Sequence, residues 1–145
     1  MIQGLGNIFL MLLFIVCIAT GCNSMTREYF NSAKEFNNIY FQVTDQVELN
    51  NDVKSLKSLQ TEENLKNIER LGVLLENIRQ TAPENRIPLI NNFEERYNDL
   101  VFLRDSYERY NVLSIEEKRR FYISMIRIAG NKRDWNDKKS NTVWE

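Results

Sequence analysis

Apolar residues that recur at steps of three and four are the feature that most constrains the fold of this chain. The recurrence is found in four segments separated by polar residues or prolines, and runs of alternating apolar and polar residues between hairpin turns are missing. Because this spacing places apolar side chains on one face of a helix, each segment predicts an amphipathic α-helix. The sequence therefore predicts an all-α domain, a small antiparallel bundle of three or four helices.

Residues that cap helix N-termini place the starts of the first two predicted helices. Thr26 precedes the first helix and Thr61 precedes the second, and threonine side chains can accept a hydrogen bond from the backbone of the first turn. A short helical piece is expected between them. The inward-facing residues are predicted to be Tyr29, Ala33, Phe36, Tyr40, Val43 and Val47 in the first helix, Val53, Leu56 and Leu59 in the short piece, and Leu65, Ile68, Leu71, Leu75 and Ile78 in the second helix.

The third helix is predicted to begin near Pro88, since proline is tolerated in a first turn. The fourth begins after Ser114, which forms a capping-box pattern with Glu117, and it runs to about Ala129, before Gly130. The inward-facing residues are predicted to be Ile90, Phe93, Tyr97, Leu100 and Tyr107, with Arg104 interrupting this stripe at the edge of the core, then Ile115, Tyr122, Met125, Ile126 and Ala129. The outer face of the third helix is predicted to hold Glu94, Glu95, Arg96, Asp99 and Asp105.

An uninterrupted apolar run precedes the bundle. Residues 8–18 are eleven consecutive apolar residues, whereas a helix that spans a bilayer needs about 20. A run of this length is typical of the hydrophobic core of a signal peptide. Small residues follow it in the order Ala19, Thr20, Gly21, and then comes Cys22.

These four residues resemble the lipobox of bacterial lipoproteins, which ends in Gly, Ala or Ser followed by Cys. The resemblance covers about 22 residues. It implies that a diacylglycerol is attached to the sulfur of Cys22 and that the signal peptide is cleaved between Gly21 and Cys22. In Gram-negative lipoproteins an Asp after this Cys typically retains the protein at the inner membrane. Asn23 would therefore imply the outer membrane, facing the periplasm.

Two other interpretations of the N-terminus stay open. Residues 1–7 contain no Lys or Arg, and the first basic residue, Arg27, follows the apolar run. Taken alone, the positive-inside rule then favours an uncleaved signal anchor with the domain in the cytoplasm. An ordinary cleaved signal peptide is the other alternative.

The predicted organisation has four parts. They are a signal peptide at 1–21, a short lipid tether at 22–25, a helical bundle at 26–131 and a polar tail at 132–145. The tail contains Trp135 and Trp144, of which one is expected to pack on the domain.

Several kinds of chemistry are excluded by composition. The chain has no histidine, which removes Ser–His and Cys–His nucleophile pairs and most catalytic zinc sites. Cleavage would remove Cys17 and acylation would occupy Cys22, so no free thiol would remain. The net charge is −1 and no nucleic-acid-binding motif is present. We therefore expect no catalytic residue, no metal or cofactor, no small-molecule substrate and no nucleic acid.

The expected role is that of a lipid-anchored accessory or adaptor protein. By analogy of cellular location and fold class, it would bind an envelope protein, as a pilotin-like helper of a secretion or pilus system does. One alternative is an exclusion or immunity lipoprotein encoded by a phage or plasmid. Another is a structural spacer whose basic residues in 114–139, eight Lys or Arg against four Asp or Glu, touch anionic lipids.

Overall fold

The fold is an all-α bundle, as the sequence predicts. The structure, a computed structural model, describes the backbone of residues 3–47 and 53–141 and the side chains of residues 24–47 and 53–138. These residues contain no strand. The α-helices are α1 (Gln3–Asp45), α2 (Glu62–Thr81), α3 (Ile87–Ser106) and α4 (Ile115–Asn141), and short 3-10 helices lie at Val53–Gln60, Glu84–Arg86 and Tyr110–Val112.

Consecutive helices run antiparallel. In the α3–α4 pair, Ser124 contacts Asp99 while the later residue Arg127 contacts the earlier residue Glu95, so the two helices run in opposite directions. Residues 107–114 connect these helices, a length that is within the usual range for neighbouring helices of a bundle. The four helices therefore alternate in direction around one core.

The aromatic face of α1 forms the centre of the core. Phe36 and Tyr40 are fully buried and stacked, with ring centroids 6.3 Å apart, and Phe93 of α3 meets Phe36 edge-on at 5.1 Å. The predicted inward face of this helix is confirmed at Tyr29 and Val43, which are also buried. Ala33 is half-buried, and Val47 is buried but lies just past the end of α1. Removing a fully buried aromatic side chain costs about 3–5 kcal/mol, so this face contributes a large part of the stability.

The start of α1 differs from the prediction. Thr26 does not begin a helix, because α1 continues without a break from Gln3 through Thr26 to Asp45. No proline lies between the apolar run and Thr26, and a threonine caps a helix only where the preceding chain leaves the helical conformation. The predicted cleavage before Cys22 and the lipidation of Cys22 do not depend on where α1 begins, and they stay predictions.

The start of α2 is confirmed. The Thr61 side chain accepts a hydrogen bond from the backbone N–H of Asn64 at 3.3 Å, and Leu56 and Leu59 of the preceding 3-10 helix are buried. Of the residues predicted to face inward in α2, Ile68, Leu71, Leu75 and Ile78 are buried, whereas Leu65 is 39% exposed.

The third helix follows the prediction on its apolar face and departs from it on its polar face. Phe93 and Leu100 are buried as expected. Asp99, predicted to face outward, is buried, and Arg96 is half-buried. Asp99 can be buried because its carboxylate accepts a hydrogen bond from the Ser124 hydroxyl at 2.7 Å, which a periodicity of apolar residues cannot reveal.

The fourth helix has the predicted start. The backbone N–H of Ser114 donates to the Glu117 carboxylate at 2.8 Å, and the Glu117 N–H donates to the Ser114 hydroxyl at 3.2 Å. This reciprocal pair satisfies two backbone donors that an open helix end would leave unpaired. The hydrogen bond from the Ser114 backbone lowers the pKa of the Glu117 carboxyl.

The predicted end of the fourth helix is wrong. α4 passes through Gly130 and continues to Asn141. The helix continues because its last turns have partners on α1. The Trp135 ring stacks on Phe41 at 4.4 Å between centroids, and the Asn131 amide donates to the Tyr40 hydroxyl at 3.2 Å. Trp135 is thus a tryptophan that packs on the domain, while Trp144 lies outside the described residues.

The predicted inward face of α4 is also wrong. Ile115, Tyr122 and Ile126 are exposed, and of the predicted residues only Met125 is buried. The buried residues of this helix are Phe121, Ser124, Met125 and Ile128. Both sets recur at steps of three and four, so the spacing alone does not decide which set faces the core.

Gly72 provides a test of how closely α2 and α3 pack. A Cβ atom at this position would lie 2.8 Å from the Tyr97 hydroxyl oxygen and 3.2 Å from the ring carbon that bears it. We expect Gly72→Ala to lower the free energy of unfolding, although alanine is the better helix former by about 1 kcal/mol. The measurement is urea unfolding of the full-length protein in detergent.

The matched background is Tyr97→Phe, which removes the hydroxyl that the new methyl group would meet. There Gly72→Ala should cost less than in the wild type, with a coupling of about 0.5 kcal/mol or more in the double-mutant cycle. Equal effects of Gly72→Ala in the two backgrounds would contradict the close contact.

The capping box predicts a local dependence on pH. Because its pKa is lowered in the folded state, Glu117 stabilises the start of α4 above its ordinary pKa of about 4.3, and this contribution is lost as the pH falls through the lowered value. Amide hydrogen exchange in the first turn of α4 should therefore become less protected on acidification. Glu117→Gln should remove this change, whereas Glu116→Gln, which leaves the capping box intact, should retain it.

Candidate functional site

An apolar stripe on the outer face of α4 is the strongest candidate for a functional surface. Ile115, Arg119, Tyr122 and Ile126 follow one another at steps of four, three and four residues, so they lie along one line of the helix. Ile115 is 85% exposed, Ile126 is 71% exposed and Tyr122 is 43% exposed. We call these four residues the outer stripe. It faces away from the buried side of the same helix.

Basic side chains lie within and beside the outer stripe, together with the exposed Glu116. Lys118 and Arg119 form no ion pair with any residue that the structure describes. The Lys118 ammonium instead lies 5.6 Å from the centroid of the Tyr110 ring, and the Arg120 guanidinium lies 4.1 Å from that of Phe102. Contact with an aromatic ring leaves the charge of a cation uncompensated. The surface around the stripe is therefore suited to an acidic partner.

A tyrosine pair holds one residue of the outer stripe in place. The hydroxyl groups of Tyr122 and Tyr110 are hydrogen-bonded, and this contact raises the pKa of the Tyr122 hydroxyl. Tyr110 also packs against the ring of Phe121, which is fully buried. The Tyr122 ring thus has a fixed orientation at the surface. A fixed side chain loses less conformational entropy when a partner binds.

Polar contacts on the opposite side of α4 fix which face turns outward. The Ser124 hydroxyl donates to Asp99, and the Arg127 guanidinium contacts Glu95 and lies 3.6 Å from Asp99. Turning the outer stripe inward would leave the Asp99 carboxylate buried without this hydrogen bond. The free-energy penalty of an unpaired buried carboxylate is larger than the stabilisation that the Ser124–Asp99 hydrogen bond contributes. The exposure of the stripe is therefore a consequence of these contacts.

A second feature is a small cleft beside Arg96, between α1, α3 and α4. The Arg96 guanidinium lies 5.0–5.7 Å from the ring centroids of Phe36, Tyr40 and Phe93 and donates to the Asn37 side chain at 2.9 Å. Burial lowers the pKa of Arg96, and the nearby Tyr40 partly offsets this. The lining residues are Asn37, Phe41, Asn92, Arg96, Asn131, Asp134, Trp135 and Lys138.

The volume of this cleft limits what it could bind. It measures about 240 Å³, below the roughly 300–1,000 Å³ of small-molecule pockets. The contacts of Arg96 with rings of α1 and α3 explain its burial without a ligand. Arg96 therefore holds α1 and α3 together, and the outer stripe remains the stronger candidate for a functional surface.

The predicted lipidation site lies in a part of the chain where the structure describes the backbone alone. Gly21 and Cys22 fall within the backbone of α1, but their side chains are outside the described residues. The predicted roles of Gly21 at the cleavage site and of Cys22 in lipidation stay predictions.

The described side chains show neither a metal site nor a membrane-spanning segment. Within residues 24–47 and 53–138, no three His, Cys, Asp or Glu side chains are grouped so that they could hold a metal ion. In the same residues, no helix is both long enough and apolar enough to cross a membrane.

Comparison of the chain with protein-family models, with curated proteins and with solved structures found no match.

The exposure of the outer stripe makes a prediction about stability. Ile115→Ser and Ile126→Ser should each change the free energy of unfolding by no more than about 0.5 kcal/mol, because they replace exposed side chains. Phe121→Ala, on the buried side of the same helix, should cost about 3–5 kcal/mol. Urea unfolding of the three variants measures this difference. A cost above about 2 kcal/mol for either isoleucine variant would place the stripe in the core instead.

Proposed function

We propose that this protein is a membrane-anchored bacterial lipoprotein whose helical domain binds an envelope protein through the outer stripe. In this proposal Cys22 carries the lipid and the domain acts as an accessory or adaptor, by binding and not by catalysis. The absence of histidine from the chain supports a role without acid–base or nucleophilic chemistry of the common kinds.

The observation that carries the proposal is the alignment of exposed apolar residues on α4. Single exposed apolar residues are common on protein surfaces and require no explanation. Here Tyr122 and Ile126 are one turn apart, and Ile115 lies on the same line two turns before Tyr122, with Arg119 between them. The two isoleucines are among the most exposed large apolar side chains of the described residues. Contiguous apolar surface with a polar surround is typical of sites where another protein binds.

The geometry of the outer stripe favours a helical partner. Residues at steps of three and four offer the same spacing that an amphipathic helix presents in return, so the two faces can pack along their length. The charges of Arg119 within the stripe and Lys118 beside it favour acidic residues on the partner's helix. We therefore expect a helix that carries Leu, Ile or Phe flanked by Asp or Glu.

The proposal is tested by photo-crosslinking in the native host. A photoreactive residue in place of Ile126 or Ile115 should give adducts of the same mass, since both positions would face the same partner. The matched control is a photoreactive residue in place of Glu69, an exposed residue of α2 outside the stripe, which should give no such adduct.

Charge reversal gives the second part of this test. With the photoreactive residue at position 126, Arg119→Glu should reduce the yield of the adduct several-fold, and Arg119→Lys should preserve most of it. Crosslinks of equal yield from positions 126 and 69, or no dependence on the charge at position 119, would contradict the proposed surface.

A further inference from the structure

A second group of exposed apolar residues lies at the end of the bundle from which the N-terminal apolar run extends. Met25 and Phe30 of α1 are 49% and 48% exposed, and Ile87 and Leu89 at the start of α3 are 54% and 42% exposed. We call these four residues the anchor-end patch. Its residues come from two parts of the chain that are more than fifty positions apart.

A direct contact brings the two parts together. The guanidinium of Arg86, which precedes Ile87, lies 5.6 Å from the centroid of the Phe30 ring. The connection between α2 and α3 therefore lies beside the start of the described part of α1. This connection contains Pro83, and Pro88 in the first turn of α3 is also exposed.

The position of the patch along α1 relates it to the membrane. Cys22 precedes Met25 by three residues and Phe30 by eight on one continuous helix. At a rise of about 1.5 Å per residue, these distances along the axis are about 4–5 Å and about 12 Å. Whether the chain is held by a lipid on Cys22 or by an uncleaved apolar run, the bilayer would begin within this distance.

We propose that the anchor-end patch inserts into the interfacial region of the bilayer, so that the domain rests on the lipid surface in one orientation. The inference depends on the membrane anchoring in the proposed function and not on the protein partner. Large apolar side chains gain free energy when they pass about 5–10 Å into the boundary between headgroups and acyl chains. The lipid surface is thus the occupant that covers Met25, Phe30, Ile87 and Leu89.

Charge makes a smaller contribution to this contact. Arg27, Lys34 and Arg86 lie at this end of the bundle, but Glu28 and Glu84 lie there as well. The attraction to anionic lipids is therefore largely balanced, and insertion should depend mainly on the apolar side chains. The basic residues Lys118, Arg119 and Arg120 lie at the start of α4, near the end of α3 and away from the anchor-end patch, whereas Lys138 lines a cleft with Asn37 and Asn92.

The test places a spin label at position 87 of the membrane-anchored full-length protein, with Cys17→Ser as background. The protein is reconstituted in vesicles of phosphatidylethanolamine and phosphatidylglycerol. The ratio of collision accessibility to oxygen over that to a water-soluble nickel chelate reports whether the label is in lipid or in water. The matched control is a label at Val112, which is 80% exposed in the connection between α3 and α4.

We expect a ratio several-fold higher at position 87 than at position 112, and little change when salt is raised. Phe30→Glu combined with Leu89→Glu should lower the ratio at position 87 to that at 112, whereas a Val73→Glu control on α2 should not. Circular dichroism establishes that the variants remain helical.

The outcomes separate this inference from the proposed anchoring. A water-like label at position 87 on protein that stays bound to the vesicles overturns insertion of the patch and leaves the anchor in place. Loss of the unsubstituted protein from the vesicles overturns the anchoring and, with it, the inference. A ratio that collapses at high salt would show an electrostatic contact instead of insertion.

Discussion

The burial of the aromatic face of α1 is the interaction on which the rest of the structure depends. Phe36 and Tyr40 contact α3 through Phe93 and Arg96, and the Tyr40 hydroxyl accepts a hydrogen bond from Asn131 of α4. Burial raises the pKa of Tyr40 to about 12. One face of one helix thus fixes the positions of the two helices that follow α2.

This arrangement connects the N-terminal helix of the chain to its candidate binding surface. The same helix that packs the core continues, without a break, into the apolar run at the N-terminus. α4 packs against α3 and crosses α1 with its last turns, and its remaining face is left uncovered. A rigid bundle with one end at the bilayer would present the outer stripe at a defined height and orientation.

Much of the fold could be predicted from the sequence, because three of the four helices have one apolar face each. The stripe of α1 and the caps at Thr61 and Ser114 are local patterns with a direct physical meaning. The orientation of α4 could not be predicted, since this helix has two apolar stripes. The choice between them depends on the contact of Ser124 with Asp99, which is 25 positions away in the chain. The helix continues past Gly130 for a similar reason, namely the packing of Trp135 on Phe41.

The candidate site shows the same division between local and distant information. Its residues Ile115, Tyr122 and Ile126 are visible in the sequence as an apolar pattern, but the pattern alone places them in the core. The burial of Arg96 could not be predicted from its neighbours in sequence alone, because the aromatic rings around it come from α1 as well as from its own helix. Cys22 is the opposite case, because its role in lipidation is predicted entirely from its neighbours in sequence.

The central claim, that the domain is held at a membrane through Cys22, is tested most directly by the intact mass of the protein extracted from membranes. The wild type is measured beside Cys22→Ser. We expect the wild type to be a mature chain that begins at residue 22 and carries added acyl mass, and the variant to lack this mass. A full-length chain without acyl groups in both samples would show that the protein is not a lipoprotein.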